Sequence, residues 1–143
     1  NGVYVFDLTV ERILTMTSYK ANEWHHGTLL DYSPLTQRWS RRESNQLKGC
    51  SDNYTLNPQT KSDAQILDGV VVLDGLHKRV LAINGKTPGE TLVVPYMAEV
   101  LLRVHNKALL DAITIHVHGI DKQDLWYMDG VAFVQQCPIQ STN

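Results

Sequence analysis

No apolar run in this 143-residue chain reaches the ~20 residues that a membrane-spanning helix needs. Neither sign of charge prevails. With 13 basic and 15 acidic residues the net charge is −2, so the basic footprint of a nucleic-acid binder is missing. The chain begins at Asn1 with no charged n-region and no apolar h-region, so the expectation is a signal peptide already removed or a processing boundary. No internal repeat or low-complexity tract is present. Cysteine is scarce: Cys50 and Cys137 are the only two. In an oxidising compartment they would pair with each other or with outside partners, and the residues alone leave both open. Asn53-Tyr54-Thr55 is an N-glycosylation sequon in a polar, turn-rich segment. Together these features lead us to expect a secreted chain. The remaining composition, 43% apolar and 20% charged, is that of an ordinary globular protein long enough for one domain with its own core.

Short strands with regular punctuation dominate the rest. Residues 3–17 alternate Val3, Val5, Asp7 and Thr9 with Tyr4, Phe6, Leu8 and Val10, and read as a strand and its continuation. Strands are predicted again at Gly69–Leu73, Lys78–Ile83, Thr91–Val94, Glu99–Val104, Ala112–His118 and Val131–Val134. Asp74-Gly75, Asn84-Gly85, Pro88-Gly89 and Asp129-Gly130 separate them as turn signals. The pattern predicts an all-β sandwich or barrel. Between Ser18 and about Asp63 the chain is polar and holds no sustained period. That is long for a loop in a compact domain, and such loops are usually functional or make interactions. Arg41–Leu47 is a weak helix candidate inside it.

The chemistry concentrates near the end of the chain. In Ile113-Thr114-Ile115-His116-Val117-His118-Gly119, two histidines lie two apart in a β-branched run. An extended strand turns both imidazoles to one face, roughly 6–7 Å apart, and Val117 to the other. Neutral imidazole is a ligand for copper, zinc, iron or nickel. An HxH pair alone is a weak signal, because many such pairs are simply surface histidines. Asp129-Gly130, eleven positions after His118, reads by itself as a turn dipeptide. His25-His26 forms another histidine pair with no clear third ligand, and His77 and His105 are expected to bind nothing. The Arg38, Arg41 and Arg42 cluster reads as a solvated face.

Taken together, the motifs resemble the first copper-ligand region of multicopper oxidases: laccases, ascorbate oxidase and ferroxidases. The run ITIHVHGI, the later Asp129-Gly130 and the segment Phe133-Val134-Gln135-Gln136-Cys137-Pro138-Ile139 carry the likeness. Upstream, Asn84-Gly85-Lys86-Thr87-Pro88-Gly89 is similar to the family's NGxxPG loop, and Val104-His105-Asn106 to its VxN strand end. Residues 80–140 follow the family in order and spacing; residues 18–66 do not. The resemblance implies one cupredoxin-like Greek-key domain over 1–143, with an irregular insertion at 18–66 and a family-like core at 67–140. It implies that His116 would bind a type 2 copper and His118 a type 3 copper of a trinuclear cluster shared with further cupredoxin domains. Asp129 would be the acid near the type 2 copper and its water.

There are departures. Val117 stands where the family often has Trp, Glu90 follows Pro88-Gly89, and Tyr96-Met97-Ala98-Glu99 replaces the usual EGD turn; none touches a ligand. In the family the QCPI cysteine commonly bonds a cysteine of a later domain. The remaining HxH pairs and the His-Cys-His blue site are missing, so the chain alone is not expected to complete a cluster or to be active. Two other readings compete. One is a copper-free cupredoxin-fold structural or binding module acting through 18–66. The other is a mononuclear copper or zinc binder using His116, His118 and a distant histidine such as His25 or His26.

Overall fold

The computed structural model describes residues 2–19, 28–41, 54–122 and 124–141. His25, His26, Arg42, Cys50, Asn53 and most of the 41–47 helix candidate lie outside the described residues. The architecture is all-β, with two sheets, one short helix and one 3₁₀ turn among the described residues. The strands are β1 (Val3–Leu14), β2 (Thr17–Ser18), β3 (Thr28–Ser33), β4 (Arg38–Arg41), β5 (Tyr54–Thr55), β6 (Arg79–Ile83) and β7 (Glu99–Lys107); α1 (Lys61–Leu67) lies between β5 and β6. This fits the cupredoxin-like class that the sequence predicts. None of the described helices is long and apolar enough to cross a membrane.

The chain divides into two compact units: 1–12 with 81–143, and 13–80. In the first, the sheet order is β6-β1-β7, with β1 and β7 parallel from Val3 opposite Glu99 to Glu11 opposite Lys107. Alternation along β1 sorts the faces. Leu8 and Val10 are buried opposite Val104 and Asn106. Asp7, Thr9 and Glu11 lie opposite Arg103, His105 and Lys107, and Asp7 pairs with Arg103 at 3.8 Å. After β6 the chain reverses through Asn84-Gly85. Both residues have positive φ, 52° and 75°, as a two-residue primed hairpin turn requires. Ile83 and Lys86 exchange the closing backbone bonds at 2.9 and 3.1 Å. The Asn84 amide accepts the Thr9 N–H at 2.8 Å and donates to the Asp7 carbonyl at 3.2 Å, fastening the turn to β1.

The second unit has the other sheet, β2-β3-β4-β5, antiparallel throughout. A four-residue loop, Pro34 to Gln37, joins β3 to β4, with Ser33 opposite Arg38 and Tyr32 opposite Trp39. The two rings lie 5.0 Å apart. Leu30, Leu56 and Ile66 form a closed core, with Trp39, Leu67 and Val70 packed around it. Helix α1 begins where Asn57 makes an Asx turn onto Gln59 at 3.0 Å and the buried Asp63 accepts the Asn57 N–H at 2.9 Å. So part of the stretch without a sequence period is regular structure. Its strands are short, and their single apolar face carries only Leu30, Tyr32 and Trp39, too few to show a period of two.

Several predicted strands have no ladder. Gly69–Leu73, Thr91–Val94 and Val131–Val134 contain no strand, and Ala112–His118 makes a single bridge from Ile113 to Ile139. β-propensity alone does not make a strand; the backbone must find a partner for its N–H and C=O groups. Among the described residues these segments make scattered turn and loop bonds, such as the Met16 N–H to the Val71 carbonyl and the Phe133 N–H to the Gln136 carbonyl, but no ladder.

Candidate functional site

The His116–His118 run is anchored at its start. Ile113 and Ile139 exchange both backbone bonds, at 3.1 and 2.8 Å. Behind that bridge sits Asn106, buried at the end of β7. Its amide donates to the carbonyls of Asp111 at 2.6 Å and Ile139 at 2.9 Å, and its oxygen accepts the Ala108 N–H at 2.9 Å. A buried amide with its groups filled is strongly held, since losing any partner would strand a polar group. Asn106 thus ties β7 to the Pro138-Ile139 segment and, through the Ile113–Ile139 bridge, to the run that carries the histidine pair. The sequence shows Asn106 only as part of a motif; its role as a staple is a finding of the fold.

Ile113 and Ile115 help line an open apolar cleft of about 570 Å³ with Val10, Leu81, Ile83 and Pro88. The apolar side of the run therefore turns into its unit. His116 and His118 are exposed on the other side. Their rings meet edge to face, with centroids 4.6 Å apart and planes at 81°. Alternation predicts the shared face; the structure adds that the rings converge.

Asp129 is brought to His116 by the loop between them. It follows a single 3₁₀ turn, Trp126–Met128, and caps it with an N–H bond to the Trp126 carbonyl. The Asp129 backbone carbonyl lies 2.6 Å from His116 Nδ1, and its Oδ1 lies 3.3 Å from the same nitrogen. A carbonyl can only accept, so Nδ1 carries the proton, and in the neutral ring Nε2 then keeps its lone pair. Gly130 makes the approach possible. It has φ +100°, and a Cβ there would run into the Ile115 carbonyl oxygen and lie 2.9 Å from its carbon and 3.2 Å from the His116 Cα. The Asp129-Gly130 dipeptide therefore acts as a close packing joint against the extended run that carries His116. Turn chemistry hints at Gly130; its contact with residues 115 and 116 has no sequence signal.

Lys122 is the third member. Its Nζ donates to Asp129 Oδ1 at 3.0 Å, and its side chain is only 17% exposed. That hydrogen bond is the largest cause holding the Asp129 carboxyl below its ordinary 3.8; partial desolvation opposes it, and the charges of Lys122 and His116 add smaller pulls in the same downward direction. Lys122 carries no sequence signal, because a lysine seven residues before an aspartate has no local signature.

The remaining histidines are elsewhere. His77 Nε2 donates to the Leu30 carbonyl at 2.9 Å, and His105 is exposed on β7. Cys137 is an exposed free thiol. Among the described residues, no three His, Cys, Asp or Glu groups come together to hold an ion. Two imidazoles, one with its Nδ1 proton fixed and Nε2 open, fit one edge of a shared metal site, in which each histidine is oriented through its second nitrogen.

Exposed apolar side chains flank Asp129-Gly130 along the chain. Trp126, Tyr127, Met128, Phe133 and Val134 all lie open, with Phe133 86% and Val134 78% exposed.

The comparisons with known proteins agree with these motifs. A family model described as Multicopper oxidase matches residues 66–143. Laccase-1 of Botryotinia fuckeliana is 30% identical over 94 residues, covering 66% of this chain and 17% of that protein. Laccase-22 of Oryza sativa subsp. japonica is 41% identical over 63 residues, covering 44% and 11%. Laccase-10 of Arabidopsis thaliana is 32% identical over 92 residues, covering 64% and 15%. The chain thus spans less than a fifth of the length of these relatives. No solved structure matches significantly. The matched span holds the histidine pair, Asp129-Gly130 and the QCPI segment, and this chain belongs to the multicopper oxidase family.

Proposed function

We propose that this chain is the N-terminal cupredoxin domain of a secreted multicopper oxidase, supplying His116 and His118 to a trinuclear copper site that reduces O2 to water. The observation that carries the reading is the His116 ring: Nδ1 is committed to the Asp129 carbonyl, and Nε2 has no partner among the described residues, on a face shared with His118. His116 would hold a type 2 copper and His118 a type 3 copper, each shared with ligands from other cupredoxin domains. When bound, copper would supply the one-electron redox chemistry for O2 reduction. The rest falls to this chain's own groups. Asp129 Oδ1 faces His116 and Lys122, so Oδ2 would orient a water and take or release its proton.

The partners in this reading are further cupredoxin domains, seated over the apolar surface around Trp126 and Phe133, and a small-molecule or metal-ion reductant. The electron donor would be a phenol, amine, ascorbate or metal ion. Secretion is supported by the sequon at Asn53 and by Cys50 and Cys137, which would form disulfides with each other or with later domains. The second reading is a copper-free module acting through residues 18–66. It draws support from the closed core and hairpin that this region builds.

Metal analysis and EPR on natively purified material separate the two, combined with an intact mass under non-reducing conditions. Several coppers per complex, a type 2 signal and a larger co-purifying chain support the oxidase. Stoichiometric protein without copper or a partner chain supports the module.

A further inference from the structure

We infer that Lys122 is a positioning residue of the histidine site: its ammonium group grips one oxygen of Asp129 and so fixes the Asp129 main chain and carboxylate against the His116 ring. The inference rests on the reading of His116 as a ligand only for its functional meaning; the contact itself does not need copper.

Three observations carry it. First, Lys122 Nζ and His116 Nδ1 converge on the same Asp129 oxygen, at 3.0 and 3.3 Å, while Oδ2 takes no partner among the described residues. Second, Lys122 is far less exposed than a surface lysine, so its stem is held along the loop. Third, its backbone is committed to that loop too. The Lys122 carbonyl accepts the Leu125 N–H at 2.9 Å, and Leu125 in turn accepts the Met128 N–H at 2.8 Å. Lys122 therefore closes both ends of the 122–129 segment, main chain at one end and side chain at the other. Without that closure the turn is left to the Met128–Leu125 bond, the Asp129 cap on Trp126, a long bond of 3.3 Å, and the Gly130 contact among the described residues.

An ordinary ion pair of exposed groups contributes little and would leave the ring unchanged if removed. The two roles separate by a spectroscopic readout. In the whole chain at pH 8, ring-nitrogen NMR reports which His116 nitrogen bears the proton. The Nδ1–H form is expected to dominate in the parent chain. Lys122→Met keeps the stem and removes the charge; it is expected to lower the ratio of Nδ1–H to Nε2–H several-fold. Lys122→Arg is expected to restore it. Amide spectra of β1 and β7, in the same unit as Lys122, check that the fold is kept, and Lys122→Gln serves with the same readout if the Met variant does not fold. An unchanged His116 ring in the Met or Gln variant overturns the inference. So does a shift that Lys122→Arg fails to reverse, because that would mark lost packing along the stem. Copper occupancy of the assembled oxidase is measured separately: no copper at His116, with a ring that still responds to Lys122, removes the oxidase reading and leaves this one standing.

Discussion

The two compact units answer the problem of a small core in opposite ways. Residues 13–80 close on themselves. Leu30 and Ile66 are almost wholly buried, Leu56 nearly so, and the His77 ring donates to the Leu30 carbonyl. Residues 1–12 and 81–143 bury Leu8, Val10 and Asn106 but leave Tyr4, Val100, Trp126, Phe133 and Val134 open. The family-like part is thus the one with its apolar side chains exposed, and the part without family motifs is the one with a finished core. The open unit carries the histidine pair. Its histidines are positioned by polar staples (Asn106, Asp129, Lys122) and by the Gly130 joint rather than by a surrounding core. Packing and site geometry can therefore be perturbed at different residues.

The largest expected effect is on the closed unit. Leu30→Ala should destabilise it by about 2–5 kcal/mol, the range for emptying a fully buried leucine. Denaturant unfolding monitored by Trp39 fluorescence measures it. In the native baseline the His116 ring nitrogens should be unmoved; a displaced ring would show that the two units are not independent in this respect. Gly130→Ala breaks the open unit in turn. Strain at a positive φ costs of order 1–3 kcal/mol, and the added Cβ pushes on Ile115 and His116. The expected outcome is loss of the His116 Nδ1–H bond to Asp129, seen by ring NMR, with the Leu30 core intact.

The smallest effects are in pH dependence. Asp74, hydrogen-bonded to Lys78 at 2.6 Å in the closed unit, is held below its ordinary 3.8, as is Asp129 in the open one. A folded value below the unfolded one means that the ionised form favours the folded state. That contribution is fully present above about pH 4 and disappears as pH falls through the lowered folded value. Asp74→Asn and Asp129→Asn should each flatten the stability profile below pH 4 and leave its slope near neutrality unchanged. A change of slope at pH 6–8 would assign the dependence to other groups. Of the two, only Asp129→Asn should also alter the His116 ring.

Much of the site was legible in the sequence, and rather less of the fold. HxH alternation places His116 and His118 on one face, and the motif order points to Asp129. The Asn84-Gly85 reversal and strands β1, β6 and β7 follow from alternation and turn chemistry. The remainder depended on long-range pairing. Segments 91–94 and 131–134 have strand-like residues but no ladder partner among the described residues, and the β3–β4 hairpin has partners but too few apolar residues to show a period. The Gly130 contact reaches back 14 residues to His116 and the Lys122 contact reaches forward seven residues to Asp129, and no local pattern encodes either.

The central claim is that His116 and His118 are copper ligands. The most direct test is the EPR spectrum and copper count of the natively assembled oxidase carrying His116→Ala, beside the parent. The account predicts loss of the type 2 signal and of O2 reduction, with the folding stability of this chain changed by no more than about 1 kcal/mol, as for a surface substitution. A variant that keeps its type 2 copper and its O2 reduction would contradict it.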